Sequence, residues 1–146
     1  MYQKILVPVD GSTTSECALQ EAIRLAQQQR AQLELVHVFE DVLYWVDESY
    51  INYAELQETI RASGEKILTQ AQALVRQAGL TAETKLLEAK SQRIANIIVA
   101  EAERWQAELI VIGTHGRTGF SRLVLGSVAE GVVRTASMPV LLVRGG

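Results

Sequence analysis

The chain has 146 residues, of which 48% are hydrophobic and 21% charged, and its formal net charge is −3. That size fits one domain, spanning 1–146, with a core of its own. The acidic balance, without a basic cluster, disfavours nucleic acid; no apolar run approaches the roughly 20 residues of a membrane span; and one cysteine, Cys17, excludes an internal disulfide and a thiolate metal site.

The opening "MYQKILVPVDGS" is too short and too mixed for a signal peptide, so a cytoplasmic location is expected. Its apolar run at 4–9 reads as a buried strand. Thr13 and Glu16 have the spacing of a capping box, which predicts a helix from Thr13 to about residue 30 with Leu19, Ala22, Ile23 and Ala26 inward. A second strand follows at 33–39. The segment 40–52 is irregular and carries Tyr44, Trp45 and Tyr50, which suit a lid, a partner surface or plain packing.

A long helix is predicted over 53–78, with Leu56, Ile60, Ile67, Ala71, Leu74 and Ala78 on one stripe. Gly64 lies on that stripe, where it costs about 1 kcal/mol relative to alanine and points to close packing. Gly79 suits the C-terminal cap. A mixed strand at 82–88 comes next. Ser91 then caps a helix whose Ile94, Ile98, Ala102 and Trp105 share a face. The most apolar strand is 108–113. Ser127 and Glu130 form a second capping box, predicting a helix over 128–136, and a fifth strand closes the chain at 139–144.

Strands alternating with helices imply right-handed crossovers and a parallel sheet. The expected fold is α/β, a doubly wound, Rossmann-like open sheet of five strands with four helices. The two most apolar strands should be central and the mixed third strand an edge, which suits the order 3-2-1-4-5. Ligands in such sheets bind at the carboxyl ends of the strands, at the switch point between strands 1 and 4. The loops "DGST" and "GTHGRTG" flank that crevice.

The second loop holds Gly113, Gly116, Gly119 and Gly126 but no lysine, and matches neither a Walker A motif nor a dinucleotide fingerprint. Backbone N–H groups and a helix N-terminus can bind phosphate without lysine. Gly126 would let an oxygen approach, the Ser127 hydroxyl could donate to it, and Arg117 or Arg122 could add charge. A long turn with an ordinary serine cap accounts for the same residues. Asp10 suits ribose hydroxyls, a water on Mg2+, or a turn. Pro8 and Val38 suit a wall for a base or strand-end packing. His115 suits a phosphate contact or a solvated loop, and His37 a satisfied core position.

"KILVPVDGS", "ELIVIGTHGRTG" and "LGSVAEGVVRTASMPVLLVR" together resemble the universal stress protein family across nearly the whole chain. The spacing of Gly113, Gly116, Gly126 and Ser127 is similar to that of the family's ATP-binding branch. The resemblance implies an adenine-nucleotide-binding fold of the alpha hydrolase type. It implies ATP (or AMP or ADP) as ligand, which Mg2+ on an Asp10-held water could accompany by the chemistry of that carboxylate. Pro8, Val38 and Ile112 would line adenine and Asp10 would meet the ribose. Gly113, Gly116, Gly126, Ser127 and Val128 would surround the phosphates; His115 and Arg117 are candidates beside them by chemistry alone. Where many members have Gly-x-Pro before the third helix, this chain has "EAKSQRI", so that turn's contact does not carry over.

The family is mostly dimeric. The fifth strand (140–144, with Val140 and Arg144 at its ends) is an apolar edge, which pairing about a two-fold axis would cover. The expected function is a dimeric, ATP-binding stress sensor or regulator. The alternatives are a slow ATPase, a nucleotide-free dimeric interaction module with an unknown protein partner, and a binder of a cyclic or monophosphate nucleotide.

Overall fold

The computed structural model describes residues 1–41, 52–115 and 125–145. In chain order the elements are β1 (Lys4–Pro8), α1 (Thr13–Gln29), β2 (Gln32–Glu40), α2 (Tyr53–Gln77), β3 (Ala82–Ala89), α3 (Ile94–Trp105), β4 (Leu109–Gly113), α4 (Ser127–Thr135) and β5 (Val140–Val143). All pairings are parallel and the strand order is β3-β2-β1-β4-β5, as expected from the alternation and from the apolar character of the first and fourth strands.

The period-two alternation of the strands sorts two cores onto the two faces of the sheet. Ile5, Val7, Leu33, Leu35 and Val111 pack against α1 and α2. Leu6, Val36, Ile110 and Ile112 pack against α3 and α4. The inward face of α1 is the expected one, Leu19, Ala22, Ile23 and Ala26 among its buried residues. On α2 the buried face is Gly64, Ile67, Leu68, Ala71 and Val75, so it turns slightly away from the predicted stripe and leaves Leu56 and Ile60 half-buried. A Cβ on Gly64 would come within 2.8 Å of both His37 Cδ2 and Leu86 Cδ1, which accounts for the glycine.

Gly79, at φ +84°, follows the last turn of α2, and the bonds Gly79 N–H to Arg76 O and Leu80 N–H to Val75 O form a Schellman motif. The predicted N-caps are corrected. Ser12, not Thr13, caps α1, accepting from the Ser15 N–H; Thr13 already lies inside the helix and its box with Glu16 is not used. Arg93, with extended backbone and no side-chain cap bond, starts α3 in place of Ser91. Gly126 is the N-cap of α4, which makes Ser127 the first helical residue rather than the cap. The Gly126 N–H donates to Thr114 O at 2.8 Å, and this tie sets where α4 begins.

Candidate functional site

The sheet splits at its carboxyl end. β1 and β4 pair at Ile5–Leu109 and Leu6–Ile110 and no further along. Val9 N–H donates to Val36 O on β2, so alternate residues of β1 face opposite neighbours and Pro8 faces β4. Proline has no N–H to offer there. β2, by contrast, runs on to Glu40 after β1 has ended. Val38 has the parity of Val36, so its N–H and C=O turn to the side that β1 has vacated. The next carbonyl along β1, that of Val9, instead takes the Nδ1–H of His37 at 2.7 Å.

A cavity of about 710 Å³ fills this split. Pro8, Asp10, Val38, Ile112, Gly113, His115, Gly126, Ser127 and Val128 all line it. The structure thus brings together nine of the eleven residues picked from sequence; Gly116 and Arg117 lie outside the described residues, as do Arg122 and the aromatic residues Tyr44, Trp45 and Tyr50. Val38 stands two residues before the end of β2 rather than at it.

Each wall has a distinct chemistry. Pro8, Val36, Val38, Ile94, Ile98 and Ile112 make an apolar slot beside the Val38 backbone. α4 presents its first turn to the same cavity. Its first intrahelical bond runs from Glu130 N–H to Gly126 O, so the N–H groups of Ser127, Val128 and Ala129 have no intrahelical acceptor. With the helix dipole they favour an anion. Ser127 is exposed and, freed from capping, has its hydroxyl available at this wall. Gly113 lines the cavity, but its lack of a side chain has another cause: a Cβ there would come within 2.7 Å of Thr14 Cγ2 on α1.

Asp10 also lines the cavity, half-buried, with Oδ1 accepting from Ser12 N–H at 2.9 Å. Thr114 Oγ1 and His115 Nδ1, 2.9 Å apart, belong to the same lining. Glu40 and Glu130 stand exposed at the rim, Glu130 paired with Arg134 at 3.2 Å. Among the described residues no group of three or more His, Cys, Asp or Glu could hold a metal ion. No helix among the described residues is long and apolar enough to cross a membrane.

Sequence reasoning missed Ser15, Ile94, Ile98 and Thr114. Ile94 and Ile98 were visible as a helical stripe, but a stripe does not say where a core opens into a cavity. It also missed a buried carboxyl cluster away from the cavity. Glu34 in β2 has no solvent exposure, and Glu101 on α3 is 6% exposed. Arg104 forks onto Glu101, Nε to Oε1 at 2.7 Å and Nη2 to Oε2 at 2.5 Å.

An open parallel sheet with a cavity at its switch point, an apolar slot, a carboxylate and a helix N-terminus defines a Rossmann-like α/β protein with a candidate ligand site. The chain belongs to the universal stress protein family, whose profile matches residues 1–144. It is 34% identical over 144 residues to universal stress protein MJ0531 of Methanocaldococcus jannaschii, covering 99% of this chain and 83% of the relative. A crystal structure of a family protein from Burkholderia pseudomallei superposes with a TM-score of 0.79 at 33% identity, over 97% of this chain and 95% of the other. The Archaeoglobus fulgidus universal stress protein in complex with dAMP gives a TM-score of 0.70 at 26% identity, over 97% and 98%. A universal stress protein in complex with cAMP gives 0.70 at 25%, over 99% and 98%.

Proposed function

We propose that this protein binds an adenine nucleotide, ATP in particular, in the cavity between β1 and β4, and acts in the cytoplasm as a dimeric stress-response sensor or regulator built on one domain. The carrying observation is the convergence of the apolar slot, Asp10 and the first turn of α4 on one cavity of about 710 Å³, in a family with dAMP- and cAMP-bound members. Pro8, Val38 and Ile112 flank the base. The Val38 N–H and C=O face its hydrogen-bonding edge, a donor–acceptor pair that matches N1 and the N6 amine of adenine. Asp10 accepts from the ribose hydroxyls or holds a Mg2+-bound water. Gly113, His115, Gly126, Ser127 and Val128, with Gly116 and Arg117 from the loop between, hold the phosphates. Lysine is not required, because α4 supplies the N–H groups and the dipole.

Dimerisation through β5 is supported by its position at the sheet edge and by Leu141 and Leu142, which are 37% and 38% exposed. A two-fold pairing of β5 would cover both.

The test is to denature the purified protein and chromatograph the released small molecules, then melt the emptied protein with and without ATP. Co-purified adenine nucleotide is expected. Ligand at 100 times its dissociation constant should stabilise by about 2.7 kcal/mol. No released nucleotide and no thermal shift with ATP, ADP or AMP would overturn the reading.

A further inference from the structure

Asp10, Ser12 and Ser15 close a ring of hydrogen bonds at the wall of the cavity. The Asp10 N–H donates to Ser15 Oγ at 3.1 Å, the Ser15 N–H donates to Ser12 Oγ at 3.1 Å, and the Ser12 N–H donates to Asp10 Oδ1 at 2.9 Å. Each residue gives a backbone donor to one neighbour and a side-chain acceptor to the other. Two of these bonds have ordinary local purposes. Ser12 to Ser15 is the N-cap of α1, and Ser12 to Asp10 is an Asx turn. The third belongs to neither. It returns from the first turn of α1 to the residue that follows Val9, where β1 has no further partner to give.

Ser15 is 6% exposed and lines the cavity. A buried hydroxyl at a helix position that alanine would fill more simply calls for a reason. Its oxygen takes the one backbone donor of Asp10, and the Ser12 N–H holds one carboxylate oxygen. Main chain and side chain of Asp10 are therefore fixed from separate points, which sets the direction of the carboxylate before any ligand arrives.

We infer that Ser15 is a positioning residue of the site: through the Asp10 N–H it aims the Asp10 carboxylate at the sugar hydroxyls of the ligand. The inference rests on the nucleotide reading above. It assigns to Ser15 the ability to favour a ligand with free sugar hydroxyls over one without them, while Ser15 itself touches neither base nor phosphate.

The experiment measures the affinities of ATP and of 2′,3′-dideoxy-ATP for the full chain and for Ser15→Ala. The wild type should prefer ATP. In Ser15→Ala, ATP affinity should fall about tenfold, the size of one lost charged hydrogen bond, while dideoxy-ATP affinity stays within about twofold. Ser15→Thr, which keeps the hydroxyl, should restore the preference. Should Ser15→Ala fail to fold, Ser15→Cys, of similar shape but with a weak acceptor, carries the same expectation. Equal weakening of both ligands, or an unchanged preference, overturns the inference while leaving the nucleotide reading intact. A wild type that binds neither ligand overturns both.

Discussion

Arg104 holds its guanidinium 3.7 Å from the carboxyl of Glu34, a side chain sealed from solvent in the middle of the sheet. Among the described residues no donor satisfies either Glu34 oxygen. Burial raises the Glu34 pKa from 4.5 to about 8, with the contact and charge of Glu101 and the charge of Glu83 adding to the rise and Arg104 opposing it. Arg104 and, more remotely, Lys85 favour the ionised form of Glu101. Glu34 thus keeps its proton in the fold beside an ionised Glu101.

The sign of the pH dependence follows. The unfolded chain releases the Glu34 proton near its ordinary value of 4.5, and the folded chain keeps it until about 8. The stability this group contributes is full below pH 4.5 and is lost as pH rises to 8, at a limiting slope of roughly 1.4 kcal/mol per pH unit. Glu34→Gln, which keeps a donor for Glu101 and cannot ionise, should flatten that fall and be the more stable protein at pH 8. Urea unfolding at pH 5, 6.5 and 8 measures it; parallel curves for the two proteins would show that Glu34 is ionised throughout.

Gly64→Ala sets two effects against each other. Helix propensity favours alanine by about 1 kcal/mol. Against it, the new methyl would lie 2.8 Å from the His37 ring, which is held by its bond to Val9. Overpacking costs typically 1–3 kcal/mol, so a net loss of about 1 kcal/mol is expected. A midpoint in urea at or above that of the wild type would mean that the ring moves aside freely.

Ile94 lines the cavity from the first position of α3 and is only half-buried. Ile94→Ala should therefore weaken ATP binding about three- to tenfold, from lost apolar contact with the base, while lowering stability by less than about 1.5 kcal/mol. Titration calorimetry and melting of the same sample separate the two. A large loss of stability with unchanged affinity would make Ile94 a core residue and no part of the slot.

Leu141 and Leu142 lie on opposite faces of β5 but share its open edge. Replacing both with lysine should give a monomer in sedimentation velocity, because charge at an edge opposes strand pairing. Binding of ATP should persist, since neither side chain lines the cavity. Unchanged dimers would move the interface elsewhere, for instance to Val133, 46% exposed on α4.

The strand order was legible because hydrophobic alternation is a long-range average over many residues. Ile5 and Ile110 marked interior strands, while Glu83 and Lys85 marked an edge. The cavity wall was legible where motif and topology coincided, at Pro8, Asp10, Val38 and Gly126. Caps were not, since Ser12, Thr13 and Ser15 are all capping residues by type. Which one turns extended depends on where β1 releases the chain, a tertiary fact. Glu34 was invisible for a related reason. A glutamate in the second strand reads as solvent-facing until the helix that covers it is known to bring Glu101 and Arg104.

The imidazole of His37 works as a stop on a zip. Val9 O is the acceptor that Val38 N–H would need for β1 and β2 to continue closing, and His37 Nδ1 occupies it first. Room for that ring comes from Gly64, on a helix that does not line the cavity. The gap between the two strands is therefore held open from behind by a missing side chain on α2. Relatives with a bulkier residue at that helix position would need another way to keep the two strands apart.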